Sequence, residues 1–287
     1  MVRKLGTVVV AGALACAGPG PERGAVGVSP APQAEAGQRA SAARAVPGVP
    51  REEAAVRVGA TPEHWLLEWR RPPRPVCAPD DPGAATCPCD GFAYGETGEL
   101  DLVRRRPGRP DERLALTPLF ADGENPAWQT HLAVLQRWPV LEPDYAAIDS
   151  VDLGPAVRAR PAARAMALGD YDHDGRATEF LLQVGASPCG HRASVLVGVS
   201  SANPSLHAFT SVAHPEQPLV LDPEIWELLR QSGGDTTGVE WRCADHGSET
   251  QTEVRLSAGP AGIDGTRSEY QCAAGRAKGR LIRSERL

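Results

Sequence analysis

Three aspartates fall at alternate positions in Asp170-Tyr171-Asp172-His173-Asp174-Gly175, and this run constrains the fold more than any other stretch of the chain. Acidic side chains at the first, third and fifth positions of a tight bend converge on one point, and glycine at the sixth permits the reversal. Three carboxylates brought together without a cation repel one another, which folding would have to overcome. Ca²⁺, a hard cation that takes about six to eight oxygens, would relieve that repulsion. The spacing then assigns Asp170, Asp172 and Asp174 as side-chain ligands and the Arg176 main-chain carbonyl as a fourth, with Thr178 or Glu179 completing the sphere. His173 is expected to point outward. The competing reading is an Asp-Gly turn whose acids are solvated and hold no metal.

Apolar runs flank the loop at 165–168 and 180–184. The D-x-D-x-D-G run from Asp170 to Gly175 resembles the calcium loops of EF-hand-like proteins and, more closely, those of VCBS and FG-GAP repeats, in which the motif sits between two strands. The resemblance covers the loop alone and implies Ca²⁺ in a strand-to-strand turn. An EF-hand would place a bidentate glutamate where this chain has Leu181, and would flank the loop with helices, so an EF-hand pair is not expected. The repeat families commonly carry an acid where this chain has Thr178, with Glu179 one step later. The motif occurs once, which argues against a multi-bladed propeller.

The N-terminus reads as an export signal. Met1-Val2-Arg3-Lys4 supplies a basic start and residues 5–15 an apolar run too short for a permanent membrane span. Ala13-Leu14-Ala15 suits ordinary signal cleavage, while the same residues before Cys16 resemble a bacterial lipobox, with Ala13 where leucine is usual. Both outcomes, soluble secretion and a lipid anchor, remain open, and both place the domain outside the cytoplasm. Residues 17–60 are rich in Ala, Pro and Gly and read as a disordered tether. A single folded domain is expected over 61–287. The remaining cysteines, Cys77, Cys87, Cys89, Cys189, Cys243 and Cys272, form an even set that reads first as disulfides. If all pair, parity demands a bridge between the early and late groups. A zinc site built from Cys77, Cys87, Cys89 and a histidine is the alternative, although the spacing lacks the usual paired form.

The domain is expected to be α+β, mainly antiparallel sheet with two short helices, stapled by disulfides. Trp65, Leu67 and Trp69 alternate as in a strand, and Leu100/Leu102 with Leu114/Leu116 flank a turn at 106–111, a hairpin signature. Asn125-Pro126 starts one predicted helix, running to Trp138, and Asp222-Pro223 starts the other. Further strands are expected at 165–168, 180–184, 193–199, 206–212, 239–243, 253–256 and 268–272.

With 41% hydrophobic and 23% charged residues the composition is that of a globular domain, and a net charge of -6 without a basic aromatic-rich face argues against nucleic acid as a partner. No Walker loop, H-E-x-x-H or dinucleotide fingerprint is present, and Gly198-Val199-Ser200-Ser201-Ala202 lacks the final glycine of a nucleophile elbow. The expected function is an exported, calcium-stabilised, non-enzymatic domain of the cell envelope that binds a protein or glycan or serves a structural role. The alternative is an extracytoplasmic hydrolase with a site near His246, Asp245 and the calcium loop, with Cys189-Gly190-His191 and Cys243 as further local groups.

Overall fold

The computed structural model of the chain describes residues 48–76, 94–120, 132–139, 141–145, 154–186, 191–259, 261–273 and 277–287. The expected leader, the expected tether up to Pro47, and Cys77, Cys87, Cys89 and Cys189 lie outside the described residues. The elements run β1 (Val49–Val58), β2 (Thr61–Trp69), β3 (Arg74–Pro75), β4 (Gly95–Gly98), β5 (Leu100–Arg105), β6 (Glu112–Ala115), β7 (Ala133–Gln136), α1 (Glu142–Tyr145), α2 (Gly154–Arg158) and β8 (Glu179–Ala186). There follow β9 (Arg192–Gly198), β10 (His207–Ala208), β11 (Val220–Leu221), α3 (Pro223–Ser232), β12 (Asp235–Trp241), β13 (Thr250–Gly259), β14 (Gly262–Cys272) and β15 (Lys278–Arg286).

Every pairing between these strands is antiparallel, which establishes the expected class. One sheet orders β1-β2-β5-β6, a small one β3-β4-β7, and a third β12-β13-β14-β15, while β9 lies between β10 and β11 on one side and β8 on the other. In the first sheet the alternation of β2 sends Trp65, Leu67 and Trp69 inward, each at most 1% exposed, with Leu67 opposite Leu102 and Trp69 opposite Leu100. The hairpin of β5 and β6 forms as its sequence predicts.

The β8–β9 pair is a middle layer. Phe180, Leu182, Val184, Val195 and Val197 face a core shared with the first two sheets. Leu181 and Leu196 face a second core with Ile225, Trp226 and Leu229 of α3 and Val254 and Leu256 of β13. α3 begins as expected: Asp222 accepts a hydrogen bond from the Glu224 amide, proline follows, and Gly233 ends the helix in the left-handed conformation. The Trp226 indole N–H donates to the Ser194 carbonyl at 3.0 Å, tying the helix to β9.

Three sequence expectations are corrected. β1 occupies part of the stretch assigned to the tether, because its polar side chains find partners far along the chain. Arg51 donates to the Gln136 and Ala163 carbonyls at 3.1 and 2.8 Å, and Glu52 accepts the Ala165 amide at 2.6 Å. Residues 165–168 are not a strand, since Glu52 takes the amides of Ala165 and Met166 that a ladder would need. The helix expected from Asn125 lies partly outside the described residues, and its later part is β7, whose Val134 pairs with Thr97 and Leu135 with Glu96. Short apolar runs do not distinguish helix from strand by periodicity, and here the neighbouring edge decides.

Cys243 and Cys272 form a disulfide with a Cα separation of 5.7 Å, joining the segment after β12 to the end of β14. It closes a loop of 29 residues, for which chain-entropy reasoning gives about 3–4 kcal/mol. Replacing both cysteines by alanine is expected to lower unfolding free energy by about that amount in urea titration; an unchanged midpoint would show that the bridge adds nothing.

Candidate metal centre

The acidic loop sits at the entrance to the middle layer. Its ends are clamped by Gly169 N–H to the Glu179 carbonyl at 2.8 Å and Glu179 N–H to the Gly169 carbonyl at 3.2 Å. Between them the chain turns through the left-handed region at His173 (φ 57°) and Gly175 (φ 87°). Glycine tolerates this freely, whereas histidine there is uncommon and needs outside support. That support comes from α3: His173 Nε2 lies 2.8 Å from the Leu229 carbonyl, and because a carbonyl can only accept, Nε2 carries the proton. His173 is therefore half-buried and anchored, a correction to the outward orientation expected of it.

The turn brings one carboxylate oxygen from each of Asp170, Asp172 and Asp174 within 4.8 Å of the others, a cluster that can hold a metal ion. Backbone amides organise it. Asp174 N–H donates to Asp172 Oδ1 at 3.1 Å, Gly175 N–H to Asp170 Oδ2 at 3.1 Å, and Arg176 N–H to Asp174 Oδ1 at 2.9 Å. Ser201 N–H reaches Asp174 Oδ2 from the next turn at 2.7 Å, a contact between residues too distant in sequence to be read locally. Two oxygens lack protein donors: Asp170 Oδ1 is buried and unpartnered, and Asp172, only 7% exposed, receives its one hydrogen bond on Oδ1.

Arg176, Thr178 and Glu179 behave differently from the aspartates. Arg176 meets Asp174 through its amide. Glu179 is fully buried behind the loop, accepting the Tyr171 amide at 2.9 Å, while the Thr178 hydroxyl lies 2.5 Å from Glu179 Oε1 and 2.9 Å from the Val199 carbonyl. A hydroxyl has one proton, so a protonated Glu179 satisfies both contacts by donating to Thr178 while Thr178 donates to Val199. Burial pushes Glu179 up to about 8, helped by the charges of Asp172 and Asp174. Burial also raises Asp172 to about 6, with Asp174 and Asp170 adding repulsion.

The other groups singled out in the sequence lie elsewhere. Cys243 is bridged, so it offers no thiol. His191 stacks on Trp241 at 3.7 Å, with Nε2 3.6 Å from Asp245 and Nδ1 4.0 Å from Asp222. The His246 side chain and Cys189 lie outside the described residues. Neither His191 nor Asp245 lines the cavity that opens beside the aspartates. Among the tryptophans, Trp65, Trp69 and Trp226 are core residues. Comparison with protein-family models, with curated proteins and with solved structures finds no match for the chain.

Two expectations follow. Without added cation, both raised groups favour the protonated native state. Their contribution is fully present below the ordinary values of 4.5 and 3.8 and is lost as pH rises through about 8 for Glu179 and about 6 for Asp172. Urea unfolding in EDTA should therefore show stability falling between pH 5 and 8, with the slope reduced in Glu179→Gln; an unchanged slope in that variant would contradict the assignment. Second, a Cβ on Gly198 would stand 2.2 Å from the Thr178 carbonyl oxygen, so Gly198→Ala must push the loop's exit strand aside. A loss of about 1–3 kcal/mol is expected, and wild-type stability would contradict the close approach.

Proposed function

We propose that this is an exported, non-enzymatic domain stabilised by Ca²⁺ bound to Asp170, Asp172 and Asp174, with a structural or binding role at the cell envelope. One observation carries the reading. Elsewhere in the described residues each buried carboxylate has an arginine: Glu63 has Arg104 at 2.5 Å, Glu96 has Arg51 at 2.5 Å, Glu68 has Arg113 at 2.6 Å, Asp101 has both Arg70 and Arg113, and Asp144 has Arg160. Asp172 and Glu179 are the buried acids with no such partner. Glu179 is accommodated by protonation. The aspartate cluster holds three mutually repelling carboxylates with backbone amides but, among the described residues, no basic side chain against them, a charge that an external cation would neutralise.

Ca²⁺ is favoured over a softer ion because the donors are all oxygens. Export, expected from the N-terminal sequence, would place the site in a space where a weak extracellular-type affinity suffices for occupancy. The cation would act first as a staple, joining the loop to β8, to α3 through His173 and to the turn at Ser201.

Calorimetric melting of the domain in Ca²⁺ and in EDTA tests the reading. At about a hundredfold excess over Kd, binding to the folded state alone contributes roughly 2.7 kcal/mol, or about 5–10 °C for a domain of this size. The shift should vanish in Asp172→Ala and Asp174→Ala. Identical melting with and without Ca²⁺ would refute the calcium site.

A further inference from the structure

A cavity of about 200 Å³ adjoins the aspartate cluster, and its lining is unlike that of a packing defect. Asp172, Asp174, Ser201, His207, Phe209 and Thr210 are among the residues that line it. An engineered apolar void of about 150 Å³ takes up benzene, so this volume admits a ligand the size of one six-membered ring. Here apolar surface is interspersed with carboxylate, imidazole and hydroxyl groups.

Its chemistry selects the ligand. No arginine or lysine lines the cavity among the described residues, and two carboxylates do, so an anion such as phosphate is disfavoured. His207 Nδ1 lies 2.8 Å from the Ser205 carbonyl and must be the donor, leaving Nε2 as an acceptor. Burial lowers the pKa of His207, which keeps the ring neutral. The lining thus offers carboxylate, imidazole and hydroxyl acceptors, together with an apolar surface where His207 stacks on Phe209 at 4.5 Å. Asp172 is more than nine-tenths buried, borders this space, and has an oxygen free of protein donors. With one oxygen from each aspartate and the Arg176 carbonyl the sphere of about six to eight is incomplete, so a cation held there would keep positions open for ligand oxygens.

We propose that the cavity binds a small neutral polyol, of the size of a single sugar ring, whose adjacent hydroxyls complete the cation's coordination while its other hydroxyls meet His207, Ser201 and Thr210. This inference rests on the calcium reading and adds the ligand class to it. The test is ligand-observed NMR with D-mannose and myo-inositol, in Ca²⁺ and in EDTA, beside calorimetric melting. His207→Phe and Thr210→Val leave the aspartates intact. Expected are binding of at least one probe in the range of ~1–10 mM, loss of that binding in EDTA, and a tenfold or greater weakening in both variants with the calcium-induced melting shift retained. A retained calcium shift with no binding of either probe would overturn the polyol site and leave the calcium site standing. Probe binding undiminished by EDTA would overturn the cation-bridged mode, and an absent calcium shift would remove the premise itself.

Discussion

Charge crowding at the entrance to the central strand pair is the constraint around which this fold is arranged. Asp170, Asp172 and Asp174 are forced together by a loop whose ends are clamped by the Gly169–Glu179 bridge. The loop cannot relax by splaying, because it is held from three sides: by α3 through His173, by the turn at Ser201 through Asp174, and by β9 through the close passage of Gly198 against Thr178. Anchoring of this kind fixes the oxygens before any ligand arrives and lowers the ordering cost of binding. It also means that whatever neutralises the aspartates acts on both hydrophobic cores, since Met166 and Leu168 pack in one and Tyr171 in the other.

The first sheet solves a similar electrostatic problem in the opposite way. Arg104 binds Glu63 and Glu112 and donates to the Pro204 carbonyl, and Glu112 in turn accepts the Leu206 amide at 2.7 Å. This network carries its own cations and stitches the sheet to the segment that leads into the cavity wall. Such buried pairs are weak sources of net stability but strongly penalise loss of one partner. Arginines therefore pair the buried acids of the first sheet, whereas Asp172 and Glu179 are buried without one.

Much of the architecture was legible where local signals and tertiary context agree. The alternation at Trp65, Leu67 and Trp69, the β5–β6 hairpin and the capped helix after Asp222 all form as their sequences imply. β1 was hidden because its charged residues look solvent-facing until Gln136, Ala163 and Ala165 supply partners. β15 was hidden for the opposite reason: it is exposed along its length, so no alternation marks it. The aspartate spacing pointed directly at a cluster, but the cavity beside it is assembled from four separate stretches of chain, and no local pattern in Ser200, His207, Thr210 or Gly262 announces that they meet.

Asp170, Asp172 and Asp174 are proposed to close around a divalent ion. A crystal structure of the domain grown with Ca²⁺ tests it most directly. A single ion within about 2.3–2.6 Å of oxygens from Asp170, Asp172 and Asp174 is expected. A well-ordered loop in saturating Ca²⁺ with the aspartates turned apart and no ion between them would contradict it.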